Sequence, residues 1–307
     1  MPIGIFLYEI EKSFGPQIIA DYYITEEKAN LEILKIFNEK HIQKGLADAT
    51  HRKNGYLYYS SVIESKSIKK NLYLGFILRE KEDLISLKSI FENFEENIAQ
   101  NYTKDKKKMN LLLKNILNST IDLFEKLKEP SIIKDTINEK TKQMLDDGKL
   151  QEARELIDLG EKIPGKLSQE IKLAEQFLEE SNFRRAKKGY LKAAELAEQI
   201  REPEIVDLLT KKADHVGNIP DLIKTREAIQ KGMRKSLEEL EDIQLEYKIY
   251  KRIMPLIEKN IKLSYTLEDD NQIPILEKLL NLTDKASEKA IALKKLDDEI
   301  KSLLRKV

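Results

Sequence analysis

The sequence has no cysteine, and its 307 residues include only three histidines, His41, His51 and His215. Without cysteine there is no disulfide bond, no thiolate metal ligand and no thiol nucleophile. The three histidines are scattered along the chain, which disfavours a histidine-based metal site. We therefore expect no metal and no other cofactor, and the lack of cysteine suits a cytoplasmic protein.

The chain also lacks a net charge, because 54 Lys and Arg residues balance 54 Asp and Glu residues. A broad electrostatic attraction to nucleic acid or to anionic lipid is therefore not expected. The basic run KDKKKMN at 104–110 is an exception that could contact phosphate or lipid headgroups, but the nearby acids favour a polar junction between two helices. We expect no nucleic-acid partner, and any membrane association would be peripheral and through a protein partner.

Long apolar runs are missing as well. No stretch approaches the roughly 20 apolar residues that a membrane-spanning helix needs. The apolar opening of the chain is unlike a signal peptide, because it lacks a basic start and is interrupted by Glu9, Glu11 and Lys12. We therefore expect this opening to belong to the fold of a protein without a transmembrane segment.

Catalytic sequence motifs are absent too. There is no G-x-x-x-x-G-K-[ST], no G-x-G-x-x-G after a strand, no G-x-S-x-G and no H-E-x-x-H. The turn at Gly15 and Pro16 leads into a predicted strand, so it offers no helix N-terminus for phosphate. Three acid pairs are typical of a solvated surface: Asp146-Asp147, Glu179-Glu180 and Asp269-Asp270. We expect a protein that is not an enzyme.

The opening residues predict a pair of antiparallel strands. Gly4 to Ile10, GIFLYEI, carries apolar side chains on both faces of an extended chain, which is typical of a strand covered on both sides. Gly15 and Pro16 predict a turn, and the stretch 18–24 predicts the second strand.

The rest of the first 128 residues alternates between helix and strand patterns. Thr25 is the predicted N-cap of a helix that Gly45 terminates, and Asn54-Gly55 predicts a tight hairpin turn. The predicted elements are a helix at 25–41, strands at 46–52, 56–63 and 72–78, and helices at 80–102 and 106–128.

The predicted order of elements is β-β-α-β-β-β-α with one further helix, and the first hairpin has the sequence G-I-F-L-Y-E-I…G-P…I-I-A-D-Y-Y. In both features the chain resembles, over residues 3–125, the longin domain of the SNARE-like, profilin-like superfamily. The resemblance implies an α+β domain, a five-stranded antiparallel sheet with one helix on one face and two on the other. It also implies a docking platform for small GTPases, SNARE segments or another longin or roadblock domain, without enzymatic chemistry. A generic α/β domain of other descent is the alternative.

The second half of the chain is helical in its periodicity. Pro130 marks the predicted boundary, since proline cannot continue a helix, and it divides the chain into domains 1–128 and 129–307. The segments MLDDGKLQEA from Met144 and FLEESNFRRA from Phe177 align with an offset of 33 residues, a period typical of helical-hairpin repeats.

These two segments resemble tetratricopeptide repeats. The second repeat has small residues at Ala174, Ala186 and Ala193, whereas the first is degenerate at Thr141 and Gly160. The resemblance implies an all-α array of helical hairpins that binds peptides or helices in a groove lined by the first helix of each hairpin. The implied protein-binding residues are Asn138, Lys142, Asp146, Ile171, Glu175 and Glu179. This set leans acidic and lacks the Lys and Asn arrangement that clamps a peptide carboxylate.

Three features lie beyond these repeats. A third hairpin is predicted with a turn at 217–220 and a second helix to about Leu240, and Pro255 and Pro274 are expected to kink or punctuate the helices that follow. The last helix carries an apolar stripe. The favoured interpretation is that this helix caps the array, and the alternative is that the stripe forms a short coiled-coil or partner-binding seam. The stripe is Leu293, Leu296, Ile300, Leu303 and Val307.

The sequence as a whole predicts a cytoplasmic adaptor or scaffold that binds other proteins. The expected partners are a small GTPase, a longin or roadblock-type module, or a helical peptide, in a vesicle-trafficking or GTPase-regulation role, and an oligomer is compatible with the pattern. The alternative is a structural subunit of a coat or tethering-like complex. The least favoured interpretation is a hydrolase that uses acids of the helical half.

Overall fold

The computed structural model describes residues 1–11, 14–63, 71–80, 82, 84–238 and 246–304. The chain forms two compact units, Met1–Asn218 and Ile219–Val307, and each is described by itself. The predicted domain boundary between residues 128 and 129 lies inside the first unit, and it stays a prediction.

The first unit contains a five-stranded, fully antiparallel sheet with the strand order β2-β1-β5-β4-β3. The β3–β4 hairpin turns at Asn54 and Gly55, which have φ angles of 54° and 78°, as a tight two-residue turn requires. The strands are β1 Pro2–Glu11, β2 Gly15–Tyr23, β3 Asp48–Lys53, β4 Tyr56–Val62 and β5 Leu72–Arg79.

Strand β1 is buried on both faces, as its sequence predicts. Ile5 and Leu7 point into a core that the later helices cover, and Phe6 and Tyr8 point into a second core under helix α1. Helix α1, Leu31–Asn38, continues into a π-helical turn at Glu39–Gln43. The predicted α+β class is confirmed: an antiparallel sheet with helices on both faces, followed by an all-α region.

The predicted start of α1 at Thr25 is wrong. The N-cap is Asn30, whose backbone is extended and whose Oδ1 accepts a hydrogen bond from the Ile33 backbone N–H at 3.1 Å. Before it, the Tyr58 hydroxyl donates to the Glu27 carboxylate. This contact anchors residues 25–29 beside β4 in a non-helical conformation.

The single helix predicted at 80–102 is two helices, α2 Leu84–Ser89 and α3 Phe91–Asn101. Ile90 separates them with φ −106° and ψ 3°, outside the helical region. The next helix, α4, covers Lys106–Lys128, and Asp105 caps it by accepting from the Lys107 and Lys108 backbone N–H groups. Pro130 opens the following helix, where its missing N–H costs nothing.

The remaining helices of both units follow in the order α5 Pro130–Asp146, α6 Leu150–Glu179, α7 Phe183–Gln199, α8 Pro203–Glu238, α9 Glu246–Thr266 and α10 Ile273–Leu304. Within the part of the chain that the structure describes, no helix is both long and apolar enough to cross a bilayer.

The 33-residue self-similarity corresponds to two matching helix turns. Gly148 and Ser181, 33 residues apart, both have positive φ, at 76° and 58°. The residue after each donates its N–H back to the same relative carbonyl, Lys149 to Met144 and Asn182 to Phe177. Both turns are therefore Schellman C-caps of the same register.

The helices around these turns do not form two separate helical hairpins. A single helix, α6, spans the 30 residues between the two turns and continues through Pro164, whereas the repeat pattern implies two helices there. The close approach of two helices that was predicted at Ala174 is present. Ala174 lies on α6, and a Cβ added to Gly189 of α7 would lie 2.8 Å from the Ala174 Cβ.

The predicted third turn at 217–220 is wrong, because these residues lie inside helix α8. Leu208, Leu209, Ala213 and Val216 are fully or almost fully buried, and Gly217 lies close against the Lys187 side chain. This packing holds the segment helical despite its glycine and proline. Pro255 likewise lies within α9, whereas Pro274 is the second residue of α10 and punctuates the chain.

The apolar stripe of α10 is exposed. Leu293, Leu296, Ile300 and Leu303 are 56–62% exposed, and every described residue from 291 to 303 is exposed. Both interpretations of the stripe, the cap and the seam, stay predictions. Val307 and the predicted helix end near Leu240 lie outside the described residues.

The close approach of the Phe6 ring to Gly75 gives a stability test. Gly75 faces Phe6 across β1 and β5, and a Cβ there would lie 2.1 Å from the Phe6 ring. Phe6 is fully buried, so Gly75→Ala is expected to cost about 1–3 kcal/mol of unfolding free energy. The measurement is chemical denaturation followed by circular dichroism.

Gly165 in α6 is the matched control, because a Cβ there meets no atom within 4 Å. Gly165→Ala is expected to stabilise the protein by about 0.5–1 kcal/mol, since alanine loses less entropy in a helix. Equal effects of the two substitutions would contradict the close packing of Gly75 on Phe6.

Candidate functional site

The most enzyme-like arrangement is a buried chain of three polar side chains under α1. His41 Nδ1 lies 2.7 Å from the Leu46 carbonyl oxygen, Nε2 lies 3.0 Å from Ser60 Oγ, and Ser60 Oγ lies 2.7 Å from the Tyr8 hydroxyl. Because a carbonyl only accepts, Nδ1 carries the proton and Nε2 accepts from Ser60, which in turn accepts from Tyr8.

This Ser–His contact has no access to a substrate. His41 is 6% exposed, Ser60 and Tyr8 are fully buried, and the His41 ring packs on Tyr73 with 4.5 Å between centroids. Burial lowers the pKa of His41 and raises that of Tyr8, so both are neutral. These hydrogen bonds satisfy polar groups that are buried in the core. Within the described ranges, moreover, no three His, Cys, Asp or Glu residues are grouped to hold a metal.

The two edges of the sheet are partly covered. On β2, the Asp21 backbone N–H donates to Asn110 Oδ1 of α4 at 3.2 Å. On β3, the Thr50 carbonyl accepts from Lys40 Nζ at 2.5 Å, and the strand has only six residues, DATHRK. Short, charged and covered edges disfavour the addition of a partner strand.

The six predicted groove residues do not form one set. Asn138, Lys142 and Asp146 are exposed on α5, one helical turn apart. The other three lie on the second half of α6, where Glu175 and Glu179 are exposed but Ile171 is 6% exposed and belongs to the core. Their role in protein binding stays a prediction.

Ile171 and Glu175 line a cavity of about 360 Å³ inside the first unit, which we name the junction cavity. It lies where the end of β5 meets α2, α4, α6 and α8. Its lining residues are Leu78, Glu82, Ser86, Phe124, Leu127, Lys128, Ser168, Ile171, Lys172, Glu175, Leu209 and Lys212.

Charge in the junction cavity centres on Lys212 of α8, whose side chain is only 4% exposed. Its Nζ lies 3.8 Å from Glu175 Oε1 and 4.7 Å from the centroid of the Tyr190 ring. These contacts offset part of the cost of burying the ammonium group. Nearer the sheet, Glu82 pairs with Lys128 at 3.9 Å and with the Met1 amino group. Burial lowers the pKa of that amino group, while Glu82 opposes the shift.

The sequence gives no direct indication of the junction cavity, because its walls come from five elements that are distant in the chain. One signal was present in α8, where Lys212 interrupts the apolar run Leu208, Leu209, Ala213 and Val216. A lysine on an otherwise buried helix face indicates a polar partner or a cavity beside it.

The buried state of His41 can be tested through the pH dependence of stability. The folded protein holds the pKa of His41 below 6.5, whereas the unfolded chain takes up a proton near that pH. The unfolding free energy therefore falls as the pH drops below about 6.5, by at most about 1.4 kcal/mol per pH unit from this group.

The measurement is denaturation between pH 7 and pH 5 for the natural protein, His41→Gln and the exposed-site control His215→Gln. We expect His41→Gln to be less stable at pH 7 and to lose less stability on acidification, while the control follows the natural protein. Parallel pH curves for all three proteins would contradict a neutral, buried His41.

Comparison with known proteins does not identify a family for this chain. No family model matches it, and searches of the curated proteins and of the solved structures found no match. The longin-like and tetratricopeptide-like resemblances therefore depend on element order and on the repeat residues alone. The structure itself establishes an antiparallel sheet with helices on both faces, followed by a helical region.

Proposed function

We propose that this protein is a non-enzymatic adaptor that binds other proteins, and that its sheet domain is a longin-like docking platform. The observation that carries the proposal is the strand order β2-β1-β5-β4-β3 with α1 alone on one face and α2, α3 and α4 on the other. The proposed partner is a small GTPase or another longin or roadblock-type module, in a cytoplasmic trafficking or GTPase-regulation role.

The face of the sheet under α1 is the favoured docking side. Helix α1 has only eight residues, whereas the opposite face is covered by three helices. Around α1, three large apolar side chains are more than half exposed, and we name them the α1 surface: Ile24, Leu31 and Ile42. Exposed apolar side chains at the centre of an interface supply most of its binding free energy once they are desolvated.

Strand addition is a less favourable mode for the same partners. Asn110 covers a backbone group of the β2 edge and Lys40 covers one of the β3 edge. A partner that added a strand would have to displace these side chains. Docking on the α1 surface leaves both contacts in place.

The adaptor proposal is tested with purified candidate GTPases loaded with GDP or with a GTP analogue. Leu31→Asp and Ile42→Asp place a charge on the α1 surface and are expected to weaken binding by about tenfold or more. Leu150→Asp is the matched control, because Leu150 is also the first residue of a helix and is 67% exposed. Biolayer interferometry gives the dissociation constants.

We expect Leu150→Asp to bind like the natural protein. Failure of the natural protein to bind any candidate in either nucleotide state would contradict the GTPase partner. Equal weakening by all three substitutions would contradict docking at the α1 surface.

A structural subunit of a coat or tethering-like complex is the second candidate, and the exposed stripe of α10 favours it. Leu293, Leu296, Ile300 and Leu303 step by three and four residues, the spacing of a helix-pairing seam. Size-exclusion chromatography with light scattering on a native extract separates the candidates. A stable large complex that Leu296→Glu dissociates supports the scaffold, and a free chain supports the adaptor.

A further inference from the structure

The junction cavity has the features of a small-molecule site. Its volume of about 360 Å³ is within the range of ligand pockets. Five of its twelve lining residues are apolar: Leu78, Phe124, Leu127, Ile171 and Leu209. All of its lining residues belong to the first unit.

Three helices each turn one face toward the cavity. On α6 the lining residues are Ser168, Ile171, Lys172 and Glu175, at the spacing of three and four that places side chains on one helical face. On α4 they are Phe124, Leu127 and Lys128, and on α8 they are Leu209 and Lys212, at the same spacing. The cavity is therefore walled by regular helix faces whose side-chain positions the backbone fixes.

The charged groups of the wall carry a positive excess. Three lysines, Lys128, Lys172 and Lys212, face two glutamates, Glu82 and Glu175. Each glutamate has a lysine partner, at 3.9 Å for Glu82 and at 3.8 Å for Glu175. Lys172 forms no ion pair with any residue in the described ranges. Lys172 is exposed, so its charge is solvated, and one negative charge would balance the formal charge of these five side chains.

Hydroxyl groups accompany the lysines. Ser86 and Ser168 are 5% and 7% exposed, so both lie at the buried side of the wall. The Ser168 hydroxyl makes no hydrogen bond to any other described residue, and Ser168 lies one helical turn from Lys172 on α6. A carboxylate has two oxygens that accept from ammonium and hydroxyl donors together.

We propose that the junction cavity binds a monoanionic amphiphile, a medium-chain carboxylate. Its head accepts from Lys172, Lys212 and Ser168, and its hydrocarbon chain packs along Phe124, Leu127 and Leu209. This site does not depend on the proposed docking function, since no residue of the α1 surface lines the cavity.

The ligand class is tested by titrating the full chain with decanoate in a calorimeter. Acetate has the same head without the chain, and decyltrimethylammonium has the same chain with the opposite charge. We expect saturable binding of decanoate with one site per chain, and binding at least about tenfold weaker for the other two. No saturable binding of decanoate, or equal binding of the cation, would overturn the proposal.

The location is tested with Lys212→Met, which keeps the aliphatic stem and removes the charge. Lys211→Met is the matched control, because Lys211 is the adjacent residue but contacts Asp207 and Asn93 rather than the cavity. We expect decanoate to bind Lys212→Met at least about tenfold more weakly and Lys211→Met unchanged.

A second variant, Ser168→Met, places a larger side chain in the cavity and leaves Lys212 unchanged, and it decides the question if Lys212→Met does not fold. We expect Ser168→Met to weaken decanoate binding while its circular dichroism spectrum stays that of the natural protein. Unchanged decanoate affinity in the folded variants would place binding elsewhere and overturn the proposal.

Discussion

The fold of the first unit depends on the burial of strand β1 on both of its faces. Its side chains alternate, so Ile5 and Leu7 join the core under the later helices and Phe6 and Tyr8 join the core under α1. Burying an apolar side chain stabilises the fold by roughly 1.5–3 kcal/mol, and a strand that contributes to two cores binds both layers to one sheet. The close contact of Phe6 with Gly75 fixes the neighbouring strand in register.

Because β1 is buried on both faces, the two sides of the sheet have different coverings and different proposed roles. On one side, the three helices after β5 extend the core toward α6, α7 and α8, where small residues such as Ala174 and Gly189 allow helices to approach closely. The junction cavity lies on this side. On the other side, a single short helix leaves the α1 surface exposed. The proposed ligand site and the proposed docking surface therefore lie on opposite faces of the sheet.

Sequence patterns predicted the elements whose signals are local. Apolar side chains on both faces marked β1, Asn54-Gly55 marked the hairpin, and Pro130 marked the boundary between α4 and α5. The errors have tertiary causes. Asn30 replaces Thr25 as the cap because Tyr58 binds Glu27, and α8 continues through Pro220 because its apolar face is buried. Of the predicted groove, Ile171 is buried, and the cavity was not predicted since its walls are distant in sequence.

The central claim is that the α1 side of the sheet docks a small GTPase or a related module. Hydrogen–deuterium exchange of the full chain, with and without a GTP-loaded partner that binds it, tests this most directly, because protection reports contact along the backbone. The account predicts new protection within residues 24–43, which include α1 and the π-helical turn, and none in α5 or α6. Protection confined to the helical region, with residues 24–43 unchanged, would contradict it.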